Sequence, residues 1–191
     1  MTTSNQIEVP IEPSVYRTVM GHYPTGVAVV TGFDEGQPVG MVVGTFTAVS
    51  MEPPLVAFMP QRTSSTYARL ARAETLCINV VAADQLELCR TMAGRGEDKF
   101  ASVEWSRSEH GAPHLTDAVA HVHCRGVQQV DAGDHWIVLC EVLAMEVTRP
   151  VTPLLFFQGS YGRFADVPAA RLTDEELVDH GWWSYTSDFP M

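Results

Sequence analysis

The chain has 191 residues, 46% of them hydrophobic, and a formal net charge of −11 from 23 acidic and 12 basic side chains. This fits one globular domain with short additions at its ends and excludes a disordered chain. So acidic a surface repels phosphate backbones and anionic lipid, which argues against nucleic acid or membrane as the main partner.

In chain order, the polar stretch Met1 to Pro13 does not read as a signal peptide. No apolar run reaches the roughly 18–20 residues of a bilayer span, so a cytoplasmic location is expected. Val15 to Tyr23 predicts a short helix broken by Pro24. Val27 to Thr31 and Val39 to Thr47 predict two strands joined by the turn Asp34-Glu35-Gly36. Leu55 to Met59 is another strand, closed by Pro60. Ser64, Ser65 and Thr66 are suited to cap a helix over Tyr67 to Ala73. A short apolar strand, Leu76 to Val81, comes next. Asp84 then caps a second helix whose apolar face is Leu86, Cys89, Met92 and Ala93.

The second half is more plainly β. Ala118 to Val130 and Trp136 to Val147 are long strands around the hairpin signature Asp131-Ala132-Gly133-Asp134, and Leu154 to Phe157 and Tyr161 to Phe164 complete the set. At the end, Thr173 and Glu176 form a capping box before a helix that Gly181 terminates. Many short strands and few helices predict a mainly β protein, a β-barrel with short helices. No GxGxxG opens a helix after a strand, so a Rossmann domain is not expected. Four separated cysteines without a CxxC pair read as reduced, buried thiols.

Four places could carry chemistry. In Gly44, Thr45, Phe46, Thr47 and Ser50, small residues and hydroxyls interrupt an apolar strand, suiting the close approach of a flat ligand with polar edges or a simple barrel bend. Alternation along one strand places Thr45 and Thr47 on one face and Gly44 and Phe46 on the other. Gln61 to Thr66 sets one arginine and several hydroxyls at a helix start, which makes either a phosphate cradle or plain N-capping. His135, at a hairpin turn, is either a surface residue or a group that donates to or stacks on a ring. His121 and His123 share a strand face while Cys124 points away, so these three do not form a metal set, and no metal is expected. Hydrolase and P-loop motifs are missing.

Taken in register from Val15 to Phe164, the pieces resemble the flavin reductase-like family. They include Tyr23-Pro24-Thr25-Gly26-Val27, Gly40-Met41, Thr45 to Ser50, Pro53-Pro54-Leu55-Val56, Ser65-Thr66, Ile78-Asn79-Val80, Asp98-Lys99-Phe100, Gly133-Asp134-His135 and Pro153 to Phe157 with Tyr161. The resemblance implies an FMN-binding split barrel of Greek-key type over residues 15–165, an N-terminal extension over 1–14, and a tail with a short helix over 166–191.

The resemblance also implies an NAD(P)H-dependent flavin reductase that passes hydride to FAD or FMN. It would work as a homodimer and supply reduced flavin to a separate oxygenase of a two-component monooxygenase. The alternative is a flavin- or haem-binding electron carrier on the same barrel. By resemblance, Thr25, Gly44, Thr45, Phe46, Thr47 and Ser50 line the flavin ring and ribityl. Arg62, Ser64, Ser65 and Thr66 hold its phosphate, and Asn79, Lys99 and Phe100 add contacts. His135, Tyr161 and Arg163 receive the nicotinamide, His135 being the catalytic candidate. The lack of an arginine cluster near His135 favours NADH over NADPH. Gly44-Thr45 departs from the family pattern, and the tail with Trp182-Trp183 matches none of it.

Overall fold

Strand-forming runs separated by turn residues dominate the computed structural model, which describes residues 11–96 and 98–164. The elements are α1 (Pro13–Gly21), β1 (Thr25–Gly26), β2 (Ala28–Asp34), β3 (Gln37–Val43), β4 (Thr47–Met51), β5 (Pro54–Phe58), α2 (Ser65–Leu70), β6 (Leu76–Val80) and α3 (Leu86–Ala93). A 3-10 turn (Lys99–Ser102), β7 (Trp105–Arg107), β8 (Pro113–Leu115), β9 (Ala120–Ala132), β10 (His135–Val147), β11 (Leu155–Phe157) and β12 (Ser160–Gly162) follow. The capping box at Thr173 and Glu176 lies outside the described residues.

Seven strands form one antiparallel sheet in the order β3-β2-β6-β9-β10-β5-β4. Laid flat, its edges would stand about 29 Å apart at ~4.8 Å per strand. Yet the edge strands β3 and β4 are consecutive in the chain, joined only by Gly44, Thr45 and Phe46. Four Cα steps reach at most about 14 Å, so the sheet has to curl until its two edges come close without pairing. That is the split of the barrel. A three-stranded sheet β1-β11-β12 and a hairpin β7-β8 complete the fold.

β2 is buried along nearly its whole length because it has a core on each face. Ala28 and Val30 turn inward to Phe58, Ile78, Val122 and Cys140, with Tyr67 and Leu70 of α2 in the same cluster. Val27 and Val29 turn outward to Cys89, Met92, Phe100 and Leu115. All four cysteines are free and buried. The hairpin loops follow backbone chemistry. Glu35 and Gly36 both have positive φ (50° and 79°), and Gly133 (72°) turns the β9–β10 hairpin.

Several elements differ from the sequence expectation. The strand expected over Val39 to Thr47 is two strands with a corner at Gly44–Phe46. The alternation that put Thr45 and Thr47 on a common face therefore does not run through it, because alternation requires continuous extended backbone. Asp84 does not cap α3. Gln85 occupies that position, and Asp84 instead pairs with Arg149 at 2.7 Å. α1 begins earlier, with Pro13 in its first turn, and ends at Gly21 rather than at Pro24. β1, β7 and β8 were not expected, being too short to show a period.

Candidate functional site

The singled-out residues fall mostly into four groups. The largest is a cleft of about 690 Å³ between β3, the start of α2 and the segment from α3 to the 3-10 turn. Ser64, Ser65, Thr66, Lys99 and Phe100 all line it. Ser64 caps α2 by accepting the Tyr67 N–H at 3.1 Å, which leaves its own O–H available to donate. Asp98 caps the 3-10 turn by accepting the Ala101 N–H at 3.0 Å and so presents Lys99 to the cleft. Lys99 Nζ donates to the Met92 carbonyl at 2.9 Å, and partial burial lowers its pKa. Gly40 lets these parts close up. A Cβ there would overlap Met92 Cε and lie 3.2 Å from the Phe100 ring.

Two cationic residues of this cleft, Arg69 and Arg95, were not singled out from the sequence. Arg69 could have been, since it follows Thr66 by one helical turn. It reaches Asp34 through Nε at 2.9 Å, and Arg72 bonds the same carboxylate. Arg72 and then Arg69 hold the Asp34 pKa down at about 2, so that carboxylate stays charged and fixes Arg69 at the cleft wall.

The second group is the corner between β3 and β4. Gly44 lies against Thr25, and a Cβ on it would stand 2.9 Å from Thr25 Oγ1. Thr45 Oγ1 accepts the Met59 N–H at 2.9 Å and donates to the Met59 carbonyl at 3.3 Å, pinning the corner to the end of β5. Phe46 packs against the barrel core, Thr47 is exposed, and Ser50 sits where the β4–β5 register shifts. The third group adjoins Thr25 through the small sheet, because Thr25 pairs with Phe156 and Phe156 with Tyr161. Tyr161 and Arg163 line a depression of about 390 Å³ with Pro24 and Phe157.

The fourth group is the tip of the β9–β10 hairpin. His135 Nδ1 lies 2.7 Å from the Asp134 carboxylate. A carboxylate only accepts, so Nδ1 carries the proton and Nε2 has no partner among the described residues. The same contact lowers the Asp134 pKa. His135 meets Gln61 across an antiparallel bridge, at the loop that leads into Ser64. It is not gathered with Tyr161 and Arg163, which belong to the other depression.

Two expected flavin ligands are placed differently. Asn79 is fully buried. Its amide donates to the Val29 carbonyl (2.9 Å) and the Thr31 hydroxyl (3.1 Å) and accepts the Leu115 N–H (2.8 Å), so it is a core residue with no face to a ligand. The Arg62 guanidinium turns away from the cleft to the hairpin, where it bonds Asp131 and lies 4.4 Å over the Trp136 ring. Among the described residues no group of three or more His, Cys, Asp or Glu side chains is arranged to hold a metal ion, and no helix is long and apolar enough to cross a membrane.

The arrangement is a cleft lined by cations, hydroxyls and apolar side chains, with His135 bridged to Gln61 of its lining. The chain is similar to known proteins along most of its length. A flavin reductase of Pseudomonas putida is 42% identical over 158 residues, covering 82% of this chain and 93% of the relative. The reductase subunit of a flavin-dependent monooxygenase of Rhodococcus jostii is 41% identical over 151 residues, covering 79% of this chain and 77% of the relative. The solved structure of an NADH:FAD oxidoreductase of Streptomyces globisporus, in complex with NAD and FAD fragments, superposes with a TM-score of 0.77 at 35% identity, over 85% of this chain and 99% of that one. The flavin reductase like domain matches residues 20–165, and the chain belongs to that family.

Proposed function

We propose that this chain is an NAD(P)H:flavin oxidoreductase that reduces FAD or FMN and releases the reduced flavin to a separate oxygenase. The observation that carries the reading is the cleft in which Ser64, Ser65 and Thr66 meet Lys99 and Phe100, segments far apart in sequence. Its volume of about 690 Å³ lies within the usual range for small-molecule sites, and its cations are an exception on a strongly acidic chain.

In this reading the Ser64, Ser65 and Thr66 hydroxyls and Lys99 hold the flavin phosphate, and Arg69 and Arg95 extend the cationic wall. Thr25, Gly44, Thr45, Phe46, Thr47 and Ser50 border the ring and ribityl. The close fit of Gly44 to Thr25 keeps that border free of a side chain. A bound flavin supplies the hydride-accepting ring. The protein's own part is alignment and exclusion of water, since hydride transfer needs rings stacked at about 3–3.5 Å and no acid–base pair. His135 presents Nε2 toward the nicotinamide.

Tyr161 and Arg163 line a separate depression, and in this reading a second subunit brings such a depression to the nicotinamide. A homodimer provides that subunit, and the exposed Val127, Met145 and Val147 of the long strands offer apolar surface for it. NADH as the donor and a cytoplasmic location belong to the same proposal. Oxidation of NADH by the purified protein, with and without added FAD or FMN, tests it. Turnover that depends on added flavin is expected. Flavin binding without turnover would mean an electron carrier or a different substrate, and the parts given to His135 and Tyr161 would fall.

A further inference from the structure

The loop that enters the cleft and the hairpin that carries His135 meet along a short seam. The Trp136 N–H donates to the Pro60 carbonyl at 2.9 Å and the Arg62 N–H to the Asp134 carbonyl at 3.0 Å. Gln61 and His135 face each other between them. One side chain spans this seam. The Arg62 guanidinium donates to the Asp131 carboxylate and to the Gly133 carbonyl (3.4 Å), and it lies 4.4 Å over the Trp136 ring. It therefore grips the hairpin on both sides of its turn.

The grip adds a side-chain hold to the two seam bonds, to the Gln61–His135 bridge and to the Tyr67 hydroxyl, which donates to the Gln129 side-chain oxygen on β9. The β5–β10 ladder runs to Val138 opposite Phe58, and beyond it β10 meets the loop after β5 through the Trp136–Pro60 bond and the Gln61–His135 bridge, while β9 has no strand on its other side there. β9 is exposed from Arg125 to Ala132. A projecting two-stranded ribbon twists and bends easily unless something fixes it.

We propose that Arg62 is a positioning residue for the nicotinamide side of the reaction. It sets the angle of the β9–β10 hairpin against residues 60–66, and through it the distance of His135 from a flavin held in the cleft. This rests on the reductase reading above. It assigns Arg62 a different part from the phosphate contact that its neighbours in the sequence suggest. A planar guanidinium serves three partners at once, two as a donor and one through its face, which an ammonium does not. Arg62 and Asp131 are both well exposed, so the pair adds little to global stability. What it fixes is an angle.

The test uses the full-length protein with R62A, R62K, D131A and the R62A/D131A double variant. Steady-state kinetics with NADH, affinities for FMN and for riboflavin, and amide exchange of the hairpin are measured. R62A and D131A are each expected to raise KM for NADH about fivefold, with kcat within about twofold. The double variant should be no worse than either single one, and R62K should recover only part. The preference for FMN over riboflavin stays at the wild-type value in all four. Exchange at the Trp136 and Arg62 amides quickens about tenfold in R62A, while the melting temperature moves by no more than about 2 °C.

Two results overturn the proposal. One is loss of the FMN-over-riboflavin preference in R62A but not in D131A, which makes Arg62 a phosphate ligand. The other is an unchanged KM together with unchanged exchange. A wild-type protein that oxidises no NADH with any flavin defeats the reductase reading instead. In that case the exchange result still decides whether Arg62 holds the hairpin.

Discussion

The β9–β10 ladder carries histidines at both ends and uses them in opposite ways. At its base His121 and His123 are buried at 1% and 4% exposure. The Leu115 carbonyl accepts from His121 Nε2 at 3.0 Å, and burial lowers the His121 pKa, so the ring is neutral, with Nδ1 accepting the Thr148 hydroxyl at 2.9 Å. The ring centroids of His114 and His121 lie 4.6 Å apart, and those of His110 and His123 4.7 Å. At the tip His135 is half-exposed, with one ring nitrogen on Asp134 and the other uncommitted in the described chain. An imidazole with both nitrogens spent stabilises a fold. One with a nitrogen to spare can meet a ligand.

The sharpest way to break this contrast is at the base. Asn79 lies opposite His121 in the β6–β9 register and satisfies the Leu115 N–H, the Val29 carbonyl and the Thr31 hydroxyl. Asn79→Ala strands the Leu115 N–H in the core and takes a donor from the Val29 carbonyl and from the Thr31 hydroxyl, which keeps its own bond to the Pro113 carbonyl. We expect a loss of about 3 kcal/mol and a melting temperature lower by roughly 10 °C, with flavin-dependent activity per folded molecule at the wild-type value. A thermal melt paired with an activity assay at a temperature where both proteins are folded checks this. A variant that melts like the wild type would mean that the base is not a polar core.

The next effect is set by pH. Burial first, then the nearby His110, His121 and His114, lower the His123 pKa to about 4, against the partial pull of Glu146. Ser108, Arg107 and Glu109 also line that pocket. A folded-state pKa below the unfolded value of a histidine means that the unfolded chain binds the proton more readily. The His123 contribution is therefore complete above about pH 6.5 and declines as pH falls toward 4. Between about pH 7.5 and pH 5 the loss should be about 2 kcal/mol in urea unfolding, and His123→Leu should flatten that slope. An equal slope in the two proteins would remove His123 from the account.

Much of this was legible in the residues. The hairpins at Glu35-Gly36 and Gly133 follow from turn chemistry, and the two long strands from the hairpin signature Asp131-Ala132-Gly133-Asp134 between them. The cleft was legible as two separate segments, Ser64 to Thr66 and Lys99-Phe100. That the two meet is a tertiary fact no local pattern contains. The corner at Gly44 was hidden because Val42, Val43 and Thr45 read as continuous strand. Only the need to bring two sheet edges together bends it. Asn79 shows the reverse limit: a polar residue in an apolar strand looks like a ligand contact, and only the position of Leu115, brought over by β8, reveals that its bonds are spent.

The smallest effect falls at the tip, and it separates function from stability. His135→Ala removes an imidazole whose only side-chain partner among the described residues is the exposed Asp134, so the fold loses little: a change within about 0.5 kcal/mol is expected. If Nε2 meets the nicotinamide, the same substitution should raise KM for NADH about tenfold while leaving flavin affinity unchanged, because the cleft lined by Ser64 and Lys99 is intact. His135→Gln keeps a donor or acceptor at that reach and should recover part of the loss. Wild-type kinetics in His135→Ala would strip the tip of its role. A stability loss as large as that at Asn79 would erase the difference between the two ends of the ladder.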